Sequence, residues 1–515
     1  MSKICLCLTA KTLERDMEIL EKYRKYADIA ELRVDCLDPD ERFLIRRFPG
    51  MAGIPVILTI RRDIDGGHFT GGEGARISLL SKGLAFADAD RRRNFAYVDL
   101  EEDLNVPSLE EAARTFGTRI IRSYHNIQGV DADMVSRLRA LRHVGDELAK
   151  VSVTPHSTEE VLQVFRAGKE TRDIDKILIC MGNYGVASRI LAEKIGSYLS
   201  YASILGEQDA PIGAAGQLDA KELAELYRFR SITGETKVFG VVGYPLKATG
   251  SPLFFNTIFG LENADAVYVP FPADSIGSFM RLAEEIDLSG FSVTVPYKES
   301  ILPFLAQKSG VVNVIGACNT VTRFAKGWLG TNTDTMGFSD SLLEFIGKKN
   351  LRGKKTTIIG AGGAARAVAS EVHRLGGKAL ILNRTILRAR ALAAPYKFLW
   401  GGLDNYGVQM MDKYSDIIVQ TSSAGMEGND AGNPLENYTF SGREAVMDLI
   451  YEPEVTPFLK QAASAGCRIL NGYDMLIRQA RYQYTQFSGK DFPAQLMSRV
   501  RLTQRQAGQA WNSGT

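Results

Sequence analysis

The chain has 515 residues, and at roughly 100–200 residues per domain that length predicts two to four domains. Hydrophobic residues make up 45% and charged residues 24%, the ordinary balance of a soluble globular protein. With 62 basic and 60 acidic residues the net charge is +2, which leaves no electrostatic footprint for a nucleic acid or a membrane. No stretch reaches the roughly 18 apolar residues of a membrane span. Six cysteines, at 5, 7, 36, 180, 318 and 467, show no CxxC spacing. They read as reduced, mostly buried thiols in a reducing compartment, with no disulfide and no metal site expected. The N-terminus has no charged n-region ahead of a cleavable apolar core, so the cytoplasm is expected. A plastid is the alternative for a chain whose transit peptide has been removed.

In chain order, apolar runs recur at 4–8, 29–34, 55–60, 95–100, 119–124, 149–153, 176–181 and 201–205, with helical patterns between them. Eight βα units predict a closed parallel (β/α)8 barrel, a fold that takes ~250 residues. Residues i and i+2 of a strand share a face. Glu31 thus lies with Arg33 and Asp35, Thr59 with Arg61, Asp99 with Glu101, Ser123 with His125, and Lys150 with Ser152 and Thr154. Five successive strands carry a polar face, and charge inside a barrel is costly unless paired or functional. Near the strands' C-terminal ends such residues form active sites.

Lys150, inside Leu-Ala-Lys-Val-Ser-Val, is expected to be poorly hydrated, which makes an amine available to condense with a ketone. His125, one strand earlier, is a proton shuttle, and Arg61 and Arg189 are candidate carboxylate clamps. The glycine-rich stretch 66–72 lacks GK[ST] and reads as a mobile surface loop or lid.

On ELRVD (31–35), LTIRRDIDGG (58–67), SYHN (123–126), LAKVSV (148–153), MGNYGVASR (181–189) and AAGQL (214–218), residues 1–230 resemble type I 3-dehydroquinate dehydratase. The resemblance implies that Lys150 forms an imine with the substrate ketone and that His125 moves protons. It implies that Glu31 holds and orients His125, and that Arg33, Arg61, Arg189 and Gln217 bind substrate. Asp65 stands where the family often has glutamate, and Gly213 where bacterial relatives often have serine.

Residues 228–237 interrupt the apolar pattern and read as a linker. Further on, TTIIGAGGAARAVASEV (356–372) runs from a strand into Gly360-Ala361-Gly362-Gly363-Ala364-Ala365 and then a helix. This GxGxxA form lets a pyrophosphate approach the backbone at a helix N-terminus. A second strand, 379–382, ends in Asn383-Arg384-Thr385 with Arg388 following, where an NAD-binding domain has an acid. Arginine there attracts a 2′-phosphate, which favours NADP. Lys298 in SVTVPYK and Asp334 in GTNTD are isolated charges in neutral motifs, a couple able to supply a proton to a nascent alkoxide.

Across 238–485 the motifs VVGYP…SP (241–252), FSVTVPYK (291–298), GACNTV (316–321), GTNTD (330–334), GAGGAARA (360–367), NRT (383–385), TSSAGM (421–426), DLIY (448–451) and NGYDMLIRQA (471–480) resemble shikimate dehydrogenase. The resemblance implies Lys298 and Asp334 as the catalytic pair. Thr249, Ser251, Thr294, Asn319, Tyr451 and Gln479 would line the substrate site, with Gly472 and Met475 near the nicotinamide. The family's HSxSP is replaced by Ala248-Thr249-Gly250-Ser251-Pro252.

The expected fold is therefore α/β: a TIM barrel (1–230) followed by a two-lobed dehydrogenase. Its lobes are a substrate-binding domain (237–335, completed by helices at about 471–500) and a Rossmann NADP-binding domain (336–470). The expected function is consecutive dehydration of 3-dehydroquinate and NADPH-dependent reduction of 3-dehydroshikimate to shikimate. The partners are small molecules, and the oligomeric state is not legible. Two other readings are a dehydratase fused to a quinate-preferring dehydrogenase and a non-catalytic metabolite-binding regulator. The polar, basic tail beyond about 488 reads as a frayed terminus.

Overall fold

The computed structural model describes all residues except 86–87, 142–143, 205–215, 247–249, 427–431 and 497–515. Thr249, Ala248 and Gly213, and most of the tail read as frayed, therefore lie outside the described residues. The chain forms two compact units, Met1–Leu288 and Ser289–Gln495. No helix among the described residues is long and apolar enough to cross a membrane.

The first unit opens with nine strands: β1 (Lys3–Leu8), β2 (Ile29–Arg33), β3 (Val56–Thr59), β4 (Tyr97–Glu101), β5 (Arg119–Asn126), β6 (Leu148–Val153), β7 (Lys176–Cys180), β8 (Leu199–Ser203) and β9 (Leu218–Asp219). They follow the order β7-β6-β5-β4-β3-β2-β1-β8-β9, parallel throughout. A parallel bridge between Lys176 and Ser197 brings β7 back to the start of β8. Tyr198 N–H donates to Lys176 C=O there at 2.7 Å. This is the (β/α)8 barrel expected from the eight apolar runs.

The inward face changes character along each strand. Its N-terminal level is apolar, with Ile29, Ile57, Tyr97, Ile121 and Leu148 packed around Cys5, Leu199 and Tyr201. Two residues on, the same face presents Glu31, Thr59, Asp99, Ser123 and Lys150, all buried. An apolar plug thus closes the barrel floor, and the polar layer begins directly above it.

Two expectations about loops change. The stretch 66–72 is pinned at its base, not loose: Phe69 is buried, Arg62 and Phe69 form a parallel bridge, and a Cβ on Gly67 would lie 2.3 Å from Arg61 O. Only glycine allows that close approach. The 228–237 connection is likewise anchored. Phe229 and Ile232 are buried, Arg230 pairs with Asp28 at 3.0 Å, and Arg228 donates to Ala264 O and Ala266 O. It leads into β10 (Lys237–Gly243), which pairs in parallel with β11 (Ala266–Pro272).

In the second unit β12 (Leu288–Val293) pairs antiparallel with β14 (Thr320–Phe324), and β14 with β15 (Gly327–Thr331), beside which the short β13 (Gln307–Lys308) runs parallel. A separate parallel sheet holds β16 (Lys355–Ile359), β17 (Lys378–Leu382), β18 (Leu399–Gly401), β19 (Ile417–Gln420), β20 (Ala445–Asp448) and β21 (Arg468–Leu470). Its order, β18-β17-β16-β19-β20-β21, is that of the doubly wound dinucleotide-binding fold. Alternate residues feed cores on its two faces: Ile358, Ile381, Val419 and Met447 on one, Ile359, Leu380, Leu382 and Ile418 on the other. Burial on both faces explains the continuous apolar runs of these strands.

Candidate active sites

In the barrel, β5 and β6 are in register with Ser123 opposite Lys150 and His125 opposite Ser152. Lys150 is 4% exposed, and its Nζ donates to Asp99 Oδ2 at 2.8 Å. The same Nζ lies 4.6 Å from the centre of the Tyr201 ring. The lysine is poorly hydrated, as expected, and it is also ion-paired, because β4 places a carboxylate at the same level of the barrel. Burial alone would raise the Asp99 carboxyl, but Arg61 and Lys150 outweigh it and hold it well below the usual carboxylate range. Ser123 Oγ donates to the other oxygen of Asp99 at 2.5 Å.

Arg61 does not present a free fork. Its guanidinium contacts Asp99 at 2.8 Å and Glu101 at 2.5 Å, and Arg76 closes on Glu101 from the other side. Arg33 is committed to Asp35 through two bonds of 2.9 and 2.7 Å. Arg189 differs: it is 2% exposed, its Nε has no hydrogen-bond partner among the described residues, and burial pushes it down to about 10. A buried cation with no carboxylate among the described residues beside it can hold an anionic ligand. Gln217 Oε1 and His125 Nδ1 are also buried without partners among the described residues. Burial, then Arg61 and Lys150, hold the imidazole of His125 well below the ordinary histidine value, so it is neutral at pH 7.

One expected contact is not formed. Glu31 does not reach His125 Nδ1; its oxygens accept from Thr59 Oγ1 at 2.9 Å and Cys7 Sγ at 3.3 Å. Strand order accounts for this, since β2 lies between β1 and β3 while His125 is on β5. Cys7 in turn accepts from Gln217 Nε2 at 3.4 Å, which ties Glu31 and Gln217 together. Asp65 is paired with Arg62 at 2.6 Å.

In the second unit Lys298 Nζ donates to Asp334 Oδ2 at 2.6 Å. Asp334 is the first residue of the helix Asp334–Ile346, where a carboxylate is favoured by the helix dipole. Its other oxygen accepts from Asn319 Nδ2 at 2.8 Å, and the same amide group donates to Gln479 Oε1 at 3.1 Å. Thr333, part of GTNTD but not named there as a site residue, joins this cluster through Asn319 and Gln479. Thr294 follows β12 and is half-buried, as is Tyr451. Ser251 is buried in the helix Gly250–Leu261, which belongs to the first unit.

The glycine motif lies where β16 gives way to the helix Gly363–Arg374. Gly360 has φ +110°, and a Cβ there would meet Thr421 Oγ1 at 2.5 Å. A Cβ on Gly363 would lie 2.9 Å from Lys298 Cβ, so this glycine lets the lysine segment close on the helix N-terminus. Beside Gly362 no atom of the described residues lies within 4 Å of an added Cβ, the open backbone a pyrophosphate requires. Ala361 is buried, and Gly363 and Ala364 open the helix. After β17, Asn383 Nδ2 donates to Thr385 O, turning the chain so that Arg384 and Arg388 are exposed. Gly472 N–H donates to Ile450 O, and Met475 is buried in the core under the sheet. These residues fit a dinucleotide with a 2′-phosphate.

A family model described as Type I 3-dehydroquinase matches residues 4–233, and one described as Shikimate dehydrogenase substrate binding domain matches residues 241–321. The chain is 28% identical over 525 residues to a bifunctional 3-dehydroquinate dehydratase/shikimate dehydrogenase, chloroplastic, from Arabidopsis thaliana, covering 96% of this chain and 83% of that one. It is 35% identical over 267 residues to a shikimate dehydrogenase (NADP(+)) of Caldanaerobacter subterraneus subsp. tengcongensis, covering 51% of this chain and 95% of that one. A shikimate 5-dehydrogenase structure from Thermus thermophilus, in complex with NADP(H) and shikimate, is 27% identical with a TM-score of 0.46, covering 52% of this chain and 99% of that one. The chain belongs to the type I 3-dehydroquinases through its barrel and to the shikimate dehydrogenases through the part that follows.

Proposed function

We propose that the chain carries out two consecutive reactions, with the roles of individual residues as follows. The barrel converts 3-dehydroquinate to 3-dehydroshikimate. Lys150 condenses with the C3 ketone and releases water, and the resulting imine acidifies the adjacent C–H. Neutral His125 takes that proton and returns one to the departing hydroxyl, which leaves as water; hydrolysis of the product imine restores the lysine. Asp99 is the proton partner of Lys150, and Arg189 holds the substrate carboxylate, with Gln217 beside it. Arg33, Arg61 and Glu31 keep the polar layer in place. The observation that carries this reading is Lys150 Nζ within a buried polar layer, with the buried Nε of Arg189, which has no partner among the described residues, near Cys7, the residue that bonds to Glu31 of that layer.

The second half reduces 3-dehydroshikimate to shikimate. NADPH, when bound, supplies the reducing equivalent. Gly360 to Ala364 would hold its pyrophosphate, Arg384 and Arg388 its 2′-phosphate with Asn383 and Thr385 shaping the turn, and Gly472 and Met475 its nicotinamide end. Lys298, oriented by Asp334, gives a proton to the oxygen where negative charge develops. Asn319, Gln479, Thr294 and Tyr451 bind the substrate hydroxyls and carboxylate; for Ser251 and Thr249 the same role rests on the family resemblance alone. The domain limits 1–230, 237–335 with about 471–500, and 336–470 belong to the same reading. So does a cytoplasmic or plastid location, which the six free cysteines suit.

The test is a coupled assay: 3-dehydroquinate and NADPH are supplied together and cofactor absorbance is followed. Oxidation of NADPH on addition of 3-dehydroquinate is expected. Binding of both compounds without turnover would overturn the reading in favour of a regulator, and turnover of quinate in preference to shikimate would overturn the substrate assignment.

A further inference from the structure

Within the first unit the barrel packs against the β10–β11 layer along a defined seam. Thr158, the first residue of the helix Thr158–Glu170, exchanges hydrogen bonds with Asp274: its N–H and Oγ1 donate to Asp274 Oδ1 at 2.8 and 2.6 Å, and Asp274 N–H donates back at 3.2 Å. Glu285 accepts from Arg166 at 3.2 Å and Lys169 at 3.1 Å, and Arg281 pairs with Glu159. A small cavity between the two sides is lined by Tyr184, Ala187, Phe271 and Pro272 among others.

At one end of the seam the ring of Tyr184 stacks on that of Tyr244, with centroids 6.2 Å apart and planes 18° from parallel. Tyr184 lies between β7 and Arg189; Tyr244 follows β10, seven residues ahead of Ser251. The segment carrying Tyr184 has little slack. A Cβ on Gly185 would meet Cys180 O at 2.2 Å, and one on Gly216 would meet Gly182 O at 2.3 Å. Ser188 Oγ donates to Gly185 O and accepts from Cys180 N–H. These contacts tie the Tyr184 segment to Gly216, next to Gln217, and through Ser188 to the turn that carries Arg189.

We propose that Tyr244, although outside the barrel, is a positioning residue for the dehydratase: its ring, stacked on Tyr184, fixes the segment that carries Arg189. The inference rests on the reading of Arg189 as a substrate-binding group. An aromatic pair of this kind is worth a factor of about two to ten in an equilibrium constant.

The experiment compares Tyr244→Ala, Tyr184→Ala, the double variant, Tyr244→Phe and Arg189→Lys in the full chain, each assayed for dehydration of 3-dehydroquinate. Tyr244→Ala should raise KM by about two- to tenfold with kcat little changed. Tyr244→Phe should restore the wild-type KM, and the double variant should be no worse than Tyr184→Ala alone. An unchanged KM in Tyr244→Ala beside a raised KM in Arg189→Lys overturns the inference alone, as does simple multiplication of the two single effects. No effect of Arg189→Lys overturns the reading beneath it. A change in thermal midpoint with KM unmoved marks the stack as merely structural and likewise overturns the proposal.

Discussion

Asp99 Oδ2 lies 2.8 Å from Lys150 Nζ and 2.8 Å from an Arg61 nitrogen, so one buried oxygen joins the candidate nucleophile to a permanent cation. Asparagine at position 99 keeps the shape and removes the charge, leaving two cations facing each other in the barrel. Breaking such a buried pair costs about 3–5 kcal/mol. Asp99→Asn should lower kcat for dehydration by about 100-fold or more and leave NADPH-dependent reduction of 3-dehydroshikimate intact. Measured dehydration within a factor of about two of wild type would remove Asp99 from the mechanism.

The pH profile follows from His125. Its folded value is held well below 6.5, first by burial and then by Arg61 and Lys150. The imidazole thus stays neutral where an ordinary histidine would protonate, and the acid limb of dehydratase kcat/KM should fall below pH 6.5. The linked stability has the same sense: a depressed histidine contributes nothing unfavourable above the unfolded value. Below it the unfolded chain takes up a proton that the native state refuses, and stability drops as pH falls towards the folded value. An acid limb centred at or above 6.5 that is lost in His125→Gln would contradict the neutral imidazole.

Asp334 bonds to Lys298 with one oxygen and to Asn319 with the other. Asp334→Asn should therefore cripple reduction, by about 100-fold or more in kcat, with dehydration in the barrel unaffected. Separate assays with 3-dehydroquinate and 3-dehydroshikimate check this, and undiminished reduction would refute the proton-donor pair.

Arg384 and Arg388 are exposed beyond β17, and no salt bridge to a described residue engages either. Charge-assisted bonds to a 2′-phosphate are worth about 1.5–3 kcal/mol, so replacing both with alanine should raise the KM for NADPH by about tenfold or more. The KM for NADH should barely move. Equal effects on both cofactors would mean that the two arginines do not read the 2′-phosphate.

Much of this architecture was legible in the sequence, because a two-residue period of polar side chains on successive apolar runs suits few folds besides a closed barrel. Glu31, Asp99 and Lys150 announced the barrel interior, and Gly360 to Ala365 between a strand and a helix announced the nucleotide site. The pairings were not legible. Whether Lys150 meets Asp99, or Arg61 meets Glu101, depends on strand stagger, which no local pattern records. The expected Glu31–His125 contact is absent because of strand order: the residues sit three strands apart. The seam was hidden as well: Tyr184 lies in MGNYGVASR and Tyr244 in VVGYP, and neither motif records that the two rings meet.

Dehydration in the barrel depends on a covalent bond between substrate and the amine at position 150. Borohydride added to the enzyme with 3-dehydroquinate, followed by peptide mass analysis, tests this directly. A reduced adduct on Lys150, absent without substrate, is the predicted result. Complete turnover with no adduct on that peptide, or undiminished dehydration by Lys150→Ala, would contradict the imine mechanism.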